Sequence, residues 1–375
     1  MVAAGGGINC VIKPLPTILI IPTGIACEQG GFAGDALPVA RLLAAASGCL
    51  ISHPNVLNGA SLYWSDRRIH YVEGWALDAF ARGYWRLSSC RAQRIGVLFD
   101  AAIEATLLLR HQQVLDAARA TLGLDIGPVL VTNGPIGVSV CQGASGSSWG
   151  ELEHPHRLLQ AGEQLKAAGA TAIAVVARFP DELDSSQLQA YRCGAGVDAL
   201  AGAEALISHL LVRELGIPCA HAPALAPLAP INELDPRAAA EELGHTFLPC
   251  VLVGLSQAPN FQLATNPWQP DELAIEQVGA VVAPAGALGG ETVLQALQRQ
   301  IPVIAVESNK SLLQVSAAAL GWGEADHETK NNVLHASSYS EAAGMVLALR
   351  EGINPQSLHR PLALANKPLA IADKP

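Results

Sequence analysis

Two histidines and one aspartate lie in or just after β-branched runs, where an open α/β sheet places its ligands. His53 follows CLIS, Asp100 follows RIGVLF, and His221 lies in IPCAHAP. An imidazole titrates near neutral pH, so it can act as a general acid or base, and a carboxylate can orient it. A structural histidine and a helix-capping aspartate are the alternatives. We predict that His53, Asp100 and His221 form a catalytic group that moves protons.

Three more polar side chains are predicted to contact the substrate. Asn55 and Asn58 follow the first histidine in the loop SHPNVLNG. Glu204 lies one helical turn before Ser208 if residues 202–215 form a helix, which puts both side chains on one face. Amide and carboxylate groups at these places predict hydrogen bonds to a polar ligand.

Two further residues have competing interpretations. Arg178 ends the apolar run AIAVVA, and its guanidinium group is suited to hold a carboxylate or a phosphate. A surface ion pair with Asp181 or Glu182 is the alternative. His209 lies in an otherwise apolar helix, which is typical of a core histidine rather than of a ligand. We count Arg178 among the substrate-binding residues.

The first glycine-rich turn lies in IIPTGIACEQGGFAGDALPVARLLAAA (20–46), between a short strand and an alanine-rich helix. Glycines let backbone N–H groups approach a phosphate or carboxylate, and a helix N-terminus adds positive potential. The spacing is neither GxGxxG nor that of a P-loop. Turn glycines with Asp35 as a helix cap are the structural alternative. The residues predicted to bind an anion or a sugar hydroxyl here are Gly24, Gly30, Gly31 and Asp35.

A second glycine-rich turn lies in VVAPAGALGGETVLQALQRQ (281–300), again between a strand and a helix. This segment resembles the donor-site turn of two-domain glycosyltransferases, in which a Gly-Gly-x-Thr turn lies under the phosphates of a nucleotide. Gln295 stands where that family has a glutamate that holds the ribose. The residues that match the turn are Gly289, Gly290 and Thr292.

Metal and disulfide chemistry receive little support from the sequence. The segment EHPH (153–156) has i, i+2 spacing and nothing marks a third ligand, so we predict an exposed polar loop and no metal site. Eight cysteines are scattered without a CxxC pair, which favours buried, reduced thiols. No motif identifies a cofactor.

The elements that must position these residues alternate between strand and helix. This alternation predicts an α/β fold with mainly parallel sheets and right-handed crossovers. We expect two Rossmann-like domains that face each other across a cleft. The strand-like runs are 17–24, 49–54, 94–102, 128–133, 171–180, 217–223, 247–255, 279–286 and 301–308. The helical stretches are 110–123, 156–170, 202–216 and 291–300. Irregular, polar stretches interrupt this pattern at 141–157 and 181–198.

The domain organisation follows from length and from a proline-rich stretch near residue 230. A chain of 375 residues, half of them hydrophobic and 15% charged, is expected to form more than one core. We predict an N-terminal arm (1–16), an N-terminal α/β domain (17–230), a C-terminal α/β domain (231–351) and a loose tail (352–375).

Charge and composition limit the partners. A net charge of −10 argues against general affinity for nucleic acid or anionic membranes. The first residues lack a basic segment followed by a long apolar stretch, and no apolar run approaches a membrane span. We therefore expect a cytoplasmic protein with a small anionic ligand, without nucleic-acid or membrane partners. A homo-oligomer is compatible with the sequence.

Several word-like motifs resemble those of one family closely. They are IPTG…GGFAGDALPVARL, HPNVLNGASLYW, YVEGWALD, VVARFP, GVDALAGAEALISH, IPCAHAPA, PRAAAEELGHTFLPCVLVGL and ALGG…IPVIAVESN. The family is an uncharacterised one, best represented in cyanobacteria and known as a domain of unknown function. The resemblance covers about residues 17–310 and implies no particular reaction. It does imply that the two glycine-rich turns belong with His53, Arg178 and His221.

The sequence thus favours an enzyme of small-molecule metabolism, a transferase or a hydrolase or lyase. Its expected substrate is a carboxylate, a phosphate or a nucleotide-linked metabolite in the cleft. Glycosyl transfer from a nucleotide sugar is one alternative. A non-catalytic metabolite sensor or carrier is another, and it would not need His53 and Asp100 as a pair.

Overall fold

The computed structural model describes residues 13–59, 65–180, 185–243, 247–322 and 332–362. Strands and helices alternate along most of this length. The strands are β1 (Thr17–Leu19), β2 (Leu50–Ser52), β3 (Ile69–Tyr71), β4 (Trp85–Ser88), β5 (Ile95–Phe99), β6 (Ile126–Val131), β7 (Val138–Gln142), β8 (Ser148–Leu152), β9 (Ala172–Arg178), β10 (Cys219–Ala224), β11 (Asn260–Leu263), β12 (Glu272–Leu273), β13 (Ala280–Pro284), β14 (Val303–Val306) and β15 (Val333–Ala336).

The helices connect most of these strands. They are α1 (Leu37–Ser47), α2 (Pro54–Leu57), α3 (Gly74–Ala81), α4 (Ala105–Leu122), α5 (Pro155–Ala167), α6 (Ser185–Arg192), α7 (Ala201–Leu215), α8 (Pro236–Leu243), α9 (Leu248–Ser256), α10 (Glu291–Gln298) and α11 (Tyr339–Arg350). Two short 3-10 helices span Ile275–Gln277 and Pro355–Leu358.

The larger sheet has six parallel strands in the order β15–β14–β13–β1–β2–β3. Helices cover both of its faces, so its central strands must be apolar on both sides. Leu19 packs on one face with Leu43 of α1 and Val346 of α11. The neighbouring Ile18 packs on the other face with Phe80 of α3. This double burial explains the uninterrupted apolar runs in the sequence.

The second sheet has four parallel strands in the order β10–β9–β5–β6. Val176 on one face packs with Leu252 of α9. Val175 on the other face lies in the same core as Ile18 and as Ile207 of α7. Because α3 and α7 contact each other, the two sheets share one continuous apolar core.

Two smaller sheets complete the structure. Strand β4 pairs antiparallel with β11 and β12. Strands β7 and β8 form an antiparallel hairpin over residues 138–152, which overlaps the stretch 141–157 that was predicted to be irregular. The hairpin reaches the first glycine-rich turn, where the N–H of Ser148 donates to the carbonyl of Gly24 at 3.0 Å.

The structure confirms the α/β fold with mainly parallel sheets and the four predicted helical stretches. The predicted strand at 247–255 is wrong, because FLPCVLVGL forms α9. That helix is apolar all round because it packs against α4, β9 and β10. A short run that is buried on all sides has neither helical nor strand periodicity, so its pattern alone could not identify it.

The sheets do not divide the chain at residue 230. The six-stranded sheet combines strands from 17–71 with strands from 280–336, and the four-stranded sheet comes from 95–224. The segments predicted as an arm and a tail lie largely outside the described residues, which begin at 13 and end at 362. The predicted division into folding units itself stays a prediction.

Candidate functional site

A polar cavity of about 260 Å³ lies at the carboxyl ends of β1, β2, β3 and β13, and α7 and β10 of the other sheet close it. The carboxyl edge of a parallel sheet leaves loop side chains free to converge, and this edge is where such folds bind ligands. The polar cavity is lined by the hydrophilic residues Thr23, His53, Asn55, Asn58, Glu73, Asp78, Asp198, Glu204, Ser208, His209, His221, Glu291 and Thr292.

His221 is held by two side chains of α7. Nε2 of His221 lies 3.4 Å from Oε2 of Glu204, and Nδ1 lies 3.1 Å from Oγ of Ser208. We assign the ring hydrogen to Nε2 because it faces a carboxylate, which leaves Nδ1 to accept from the hydroxyl. The prediction that Glu204 and Ser208 share one helix face is confirmed. The arrangement suits an imidazole that accepts a proton and then pairs with Glu204.

A second histidine–carboxylate contact joins α7 to α3. Nε2 of His209 lies 3.2 Å from Oε1 of Glu73, whose Oε2 accepts from the N–H of Trp75 at 2.8 Å. Burial raises the pKa of Glu73 to about 8, although its backbone hydrogen bonds act in the opposite direction. Burial also lowers the pKa of His209. Both groups are therefore neutral near pH 7, and the contact is a hydrogen bond rather than an ion pair.

Close packing at Gly74 makes this contact possible. A Cβ atom at Gly74 would lie 2.8 Å from Nε2 of His209. Glu73 precedes Gly74 and caps α3, so the carboxylate and the glycine act together to admit the imidazole. His209 was expected to be a core residue, but it lines the polar cavity with its side chain 38% exposed.

His53 lies in the polar cavity, but its ring is already engaged. The N–H of Ile21 donates to Nε2 of His53 at 3.1 Å, so the ring hydrogen is on Nδ1. Burial, together with the nearby His209, lowers the pKa of His53 to about 4. His53 is therefore neutral near pH 7 and supports the loop after β1.

Asp100 and Arg178 do not line the polar cavity. Asp100 is 1% exposed, and its carboxylate accepts from the N–H groups of Ile136 at 3.0 Å and Arg178 at 3.2 Å. The guanidinium group of Arg178 pairs with Glu104 at 2.8 Å. The structure therefore does not bring Asp100 to the two predicted histidines, because backbone donors at the end of β5 hold it. Asp181 and Glu182, the alternative partners of Arg178, lie outside the described residues.

The first glycine-rich turn is stabilised by its own side chains. The N–H of Gly30 donates to the carboxylate of Asp35. Asp35 does not cap α1, whose N-cap is Ala36 without a side-chain bond. Burial raises the pKa of Asp35 to about 6. A Cβ atom at Gly31 would lie 2.2 Å from the carbonyl oxygen of Cys27, which is too close for any residue with a side chain. These contacts favour the structural interpretation for Gly24, Gly30, Gly31 and Asp35, which line neither cavity of the site.

The two predicted asparagines are in the polar cavity and hold its wall. Nδ2 of Asn55 donates to the carbonyl of Gly30 at 2.9 Å. Oδ1 of Asn58 accepts from the hydroxyl of Tyr71 at 3.0 Å. Both side chains therefore position the loops around His53 as well as facing the cavity.

The second glycine-rich turn is also at the polar cavity. Gly290 is the N-cap of α10, and the hydroxyl of Thr292 donates to Asp78 at 2.8 Å. A Cβ atom at Gly289 would lie 2.9 Å from Cγ1 of Val315, so the glycine allows close packing there. The carboxyl groups of Asp78 and Glu291 line the same cavity, and Glu291 is paired with Arg82 at 2.8 Å. A nucleotide phosphate at this turn would face them, which weakens the comparison with a glycosyltransferase donor site.

An apolar cavity of about 310 Å³ adjoins the polar cavity. Five residues line both cavities and form the shared wall: Ala33, Asn58, Asp198, Glu204 and His221. Burial and the neighbouring Glu204 raise the pKa of Asp198 to about 7. Burial also raises the pKa of Glu241, which accepts from the hydroxyl of Tyr191 at 2.9 Å. The five residues of the wall include two carboxyl groups and neither lysine nor arginine.

The sequence analysis missed several of these residues. Glu73 carries a readable signal, since a glutamate directly before the glycine that starts a helix is a cap candidate. Asp78 and Glu241 carry no such signal in the sequence, because each lies on a helix and reaches the site only through the packing of that helix. In the part of the chain that the structure describes, no group of three or more His, Cys, Asp or Glu side chains could hold a metal ion. The seven described cysteines form no disulfide with one another.

Comparison with known proteins gives a family without a known activity. The family model for a protein of unknown function (DUF3326) matches residues 16–359. A protein of Synechococcus sp. named as an uncharacterised lipoprotein is 51% identical over 346 residues, which cover 92% of this chain and 94% of that protein. None of the solved structures matches the chain. These matches confirm the family resemblance seen in the sequence motifs.

The predicted cytoplasmic location is contradicted by this comparison, because the relative is named a lipoprotein. The prediction depended on the lack of a basic leader and of a long apolar run. A lipid-anchored protein is held by attached acyl chains and needs no membrane-spanning helix, so those criteria could not detect one. None of the described helices is long and apolar enough to cross a membrane.

Proposed function

Because the chain belongs to the DUF3326 family of unknown function, we propose its function from the site itself: an enzyme that transfers protons on a small molecule bound in the polar cavity. His221 is the general acid and base of this proposal. The observation that carries it is the position of His221 on the wall of both cavities, between Glu204 and Ser208.

The two neighbours of His221 have different roles in the proposed reaction. Ser208 and His221 both line the polar cavity, and in the proposed reaction the Ser208 hydroxyl, 3.1 Å from Nδ1, passes a substrate proton to the ring. The imidazolium formed in this way is stabilised by Glu204, 3.4 Å from Nε2. The hydroxyl also lies 3.3 Å from the carbonyl oxygens of Glu204 and Ala205. It can therefore turn away from Nδ1 when the ring must give its proton back.

The charge of the cavity favours a substrate without negative charge over the anionic one expected from the sequence. Asp78 and Glu204 face the polar cavity, Glu291 faces it while paired with Arg82 at 2.8 Å, and among the described residues neither Arg178 nor another arginine or lysine lines it. The same carboxylates oppose a nucleotide sugar. A sensor could use Ser208 and His221 to hydrogen-bond its ligand, but it would not need the Glu204 carboxylate that stabilises an imidazolium.

Incubation in D₂O tests the proposal for any reaction that exchanges a carbon-bound hydrogen or cleaves a bond of the substrate, because O–H and N–H hydrogens exchange without an enzyme. The purified protein is incubated in D₂O with defined sets of alcohols, amines, esters and carboxylic acids, and mass changes are followed. We expect His221→Asn to lower the rate of the change by about 10²–10⁴, the usual contribution of a general acid–base group. His335→Asn is the matched control, since His335 is exposed and pairs with Glu307 away from the cavity. An unchanged rate in His221→Asn, or no change in any set with the native protein, would contradict the proposal.

A further inference from the structure

The apolar cavity has the size and lining of a hydrocarbon-binding chamber. Its volume of about 310 Å³ is within the usual range for small-molecule pockets. Apolar side chains from several elements surround it: Leu188 of α6, Leu200 before α7, Leu225 and Leu228 after β10, and Val251 of α9. Burying hydrocarbon against such a surface is favourable by about 25 cal/mol per Å².

The apolar cavity ends at His221, the proposed general acid and base. Asn58, Glu204 and His221 line both cavities. A molecule that fills the apolar cavity and extends past this wall therefore places its next polar atom beside His221. The two cavities adjoin at this wall, with the more apolar lining on one side and the more polar lining on the other.

The charged groups around the chamber determine which head group fits. Carboxylates of Asp198, Glu204, Glu241 and Glu242 line the apolar cavity. The cationic side chain there is Arg192, and Glu242 pairs with it at 2.7 Å. A negatively charged head group at His221 would lie beside the carboxylate of Glu204, 3.4 Å from Nε2 of His221, and would repel it in a partly buried place.

We propose that the substrate is an amphipathic small molecule whose hydrocarbon part occupies the apolar cavity and whose head group, without negative charge, lies at His221. This inference deepens the proposed function and rests on it, since only turnover makes the bound molecule a substrate. The binding it describes does not depend on turnover.

Binding of three probes with the same hydrocarbon chain tests the inference. Octan-1-ol, octylamine and octanoate are titrated into the full-length protein by calorimetry near pH 7.5. We expect the alcohol and the amine to bind at least about tenfold more tightly than octanoate, a difference of about 1.4 kcal/mol. Octanoate binding as tightly as the other two probes would overturn the charge assignment.

Filling the chamber provides the second arm of the test. Leu225→Trp and Leu188→Trp, made as two separate variants, each place a larger side chain in the apolar cavity. Both positions are only partly buried, so the larger side chain should be compatible with folding. Leu263→Trp is the matched control, because Leu263 is 55% exposed and lines neither cavity. We expect at least a tenfold loss of octan-1-ol affinity in the first two variants and none in the control.

The two proposals can fail separately. Unchanged octan-1-ol affinity in folded Leu225→Trp and Leu188→Trp proteins overturns the chamber and leaves the deuterium-exchange result untouched. Octan-1-ol binding that persists in His221→Asn supports the proposed occupation of the apolar cavity. If that variant also exchanges deuterium like the native protein, only the proposed proton transfer is overturned.

Discussion

Replacing Glu73 by glutamine should remove a large part of the pH dependence of stability. The carboxyl is 4% exposed, and burial raises its pKa from its ordinary value of 4.5 to about 8. Glutamine keeps an acceptor for the N–H of Trp75 and an N–H that can face His209, so it mimics the protonated form. The structural interactions stay in place while the titration is lost.

The direction of the effect follows from proton binding. Above pH 4.5 the unfolded chain loses the Glu73 proton, whereas the folded protein keeps it until about pH 8. The folded state binds more protons in this window, so the native protein loses stability as the pH rises through it. At about 1.4 kcal/mol for each pH unit, the loss from this group is about 5 kcal/mol between pH 4.5 and pH 8.

Urea unfolding followed by circular dichroism, at intervals between about pH 5 and about pH 8.5, measures this loss. We expect native and Glu73→Gln proteins to have similar free energies of unfolding near pH 5 and the variant to be more stable by several kcal/mol near pH 8.5. Glu163→Gln, an exposed change on α5, should follow the native curve. Parallel curves for the native protein and Glu73→Gln would refute the reasoning about the buried carboxyl.

Two smaller predictions test the packing around the site. Gly74→Ala should destabilise the protein by about 1–3 kcal/mol in urea unfolding, because a Cβ atom there would lie 2.8 Å from Nε2 of His209. The control Gly344→Ala, in a helix with open space around it, should be neutral or stabilising, and equal effects would contradict the proposed contact. Asp100→Asn should lower the free energy of unfolding by about 2 kcal/mol or more, because backbone N–H groups lose a carboxylate acceptor. The deuterium-exchange rate of the folded variant should equal that of the native protein. Asp116→Asn is its exposed control, and a loss of exchange confined to Asp100→Asn would return Asp100 to the catalytic group.

Part of the site was predictable because local signals coincide with it. His221 and Glu204 were identified from a strand and from a helical face, and the structure joins them at 3.4 Å. Asp100 and Arg178 carried equally good local signals at the ends of β5 and β9. Their partners, the N–H of Ile136 and the carboxylate of Glu104, could not be read from sequence because the fold brings them together.

The sequence by itself determined the alternation of strands and helices, and with it the parallel sheets. Strands that are buried on both faces need apolar runs, and amphipathic helices need apolar residues at a regular spacing. Only the tertiary structure decided which strands share a sheet. β1 pairs with β13, more than 250 residues later in the chain, and this pairing sets the second glycine-rich turn beside the loop that follows β2. The charge of the site was decided in the same way. Glu73 and Asp78 lie on α3, Glu204 on α7 and Glu291 on α10, and these three helices are far apart in the chain. Their shared cavity follows from helix packing that no local pattern encodes.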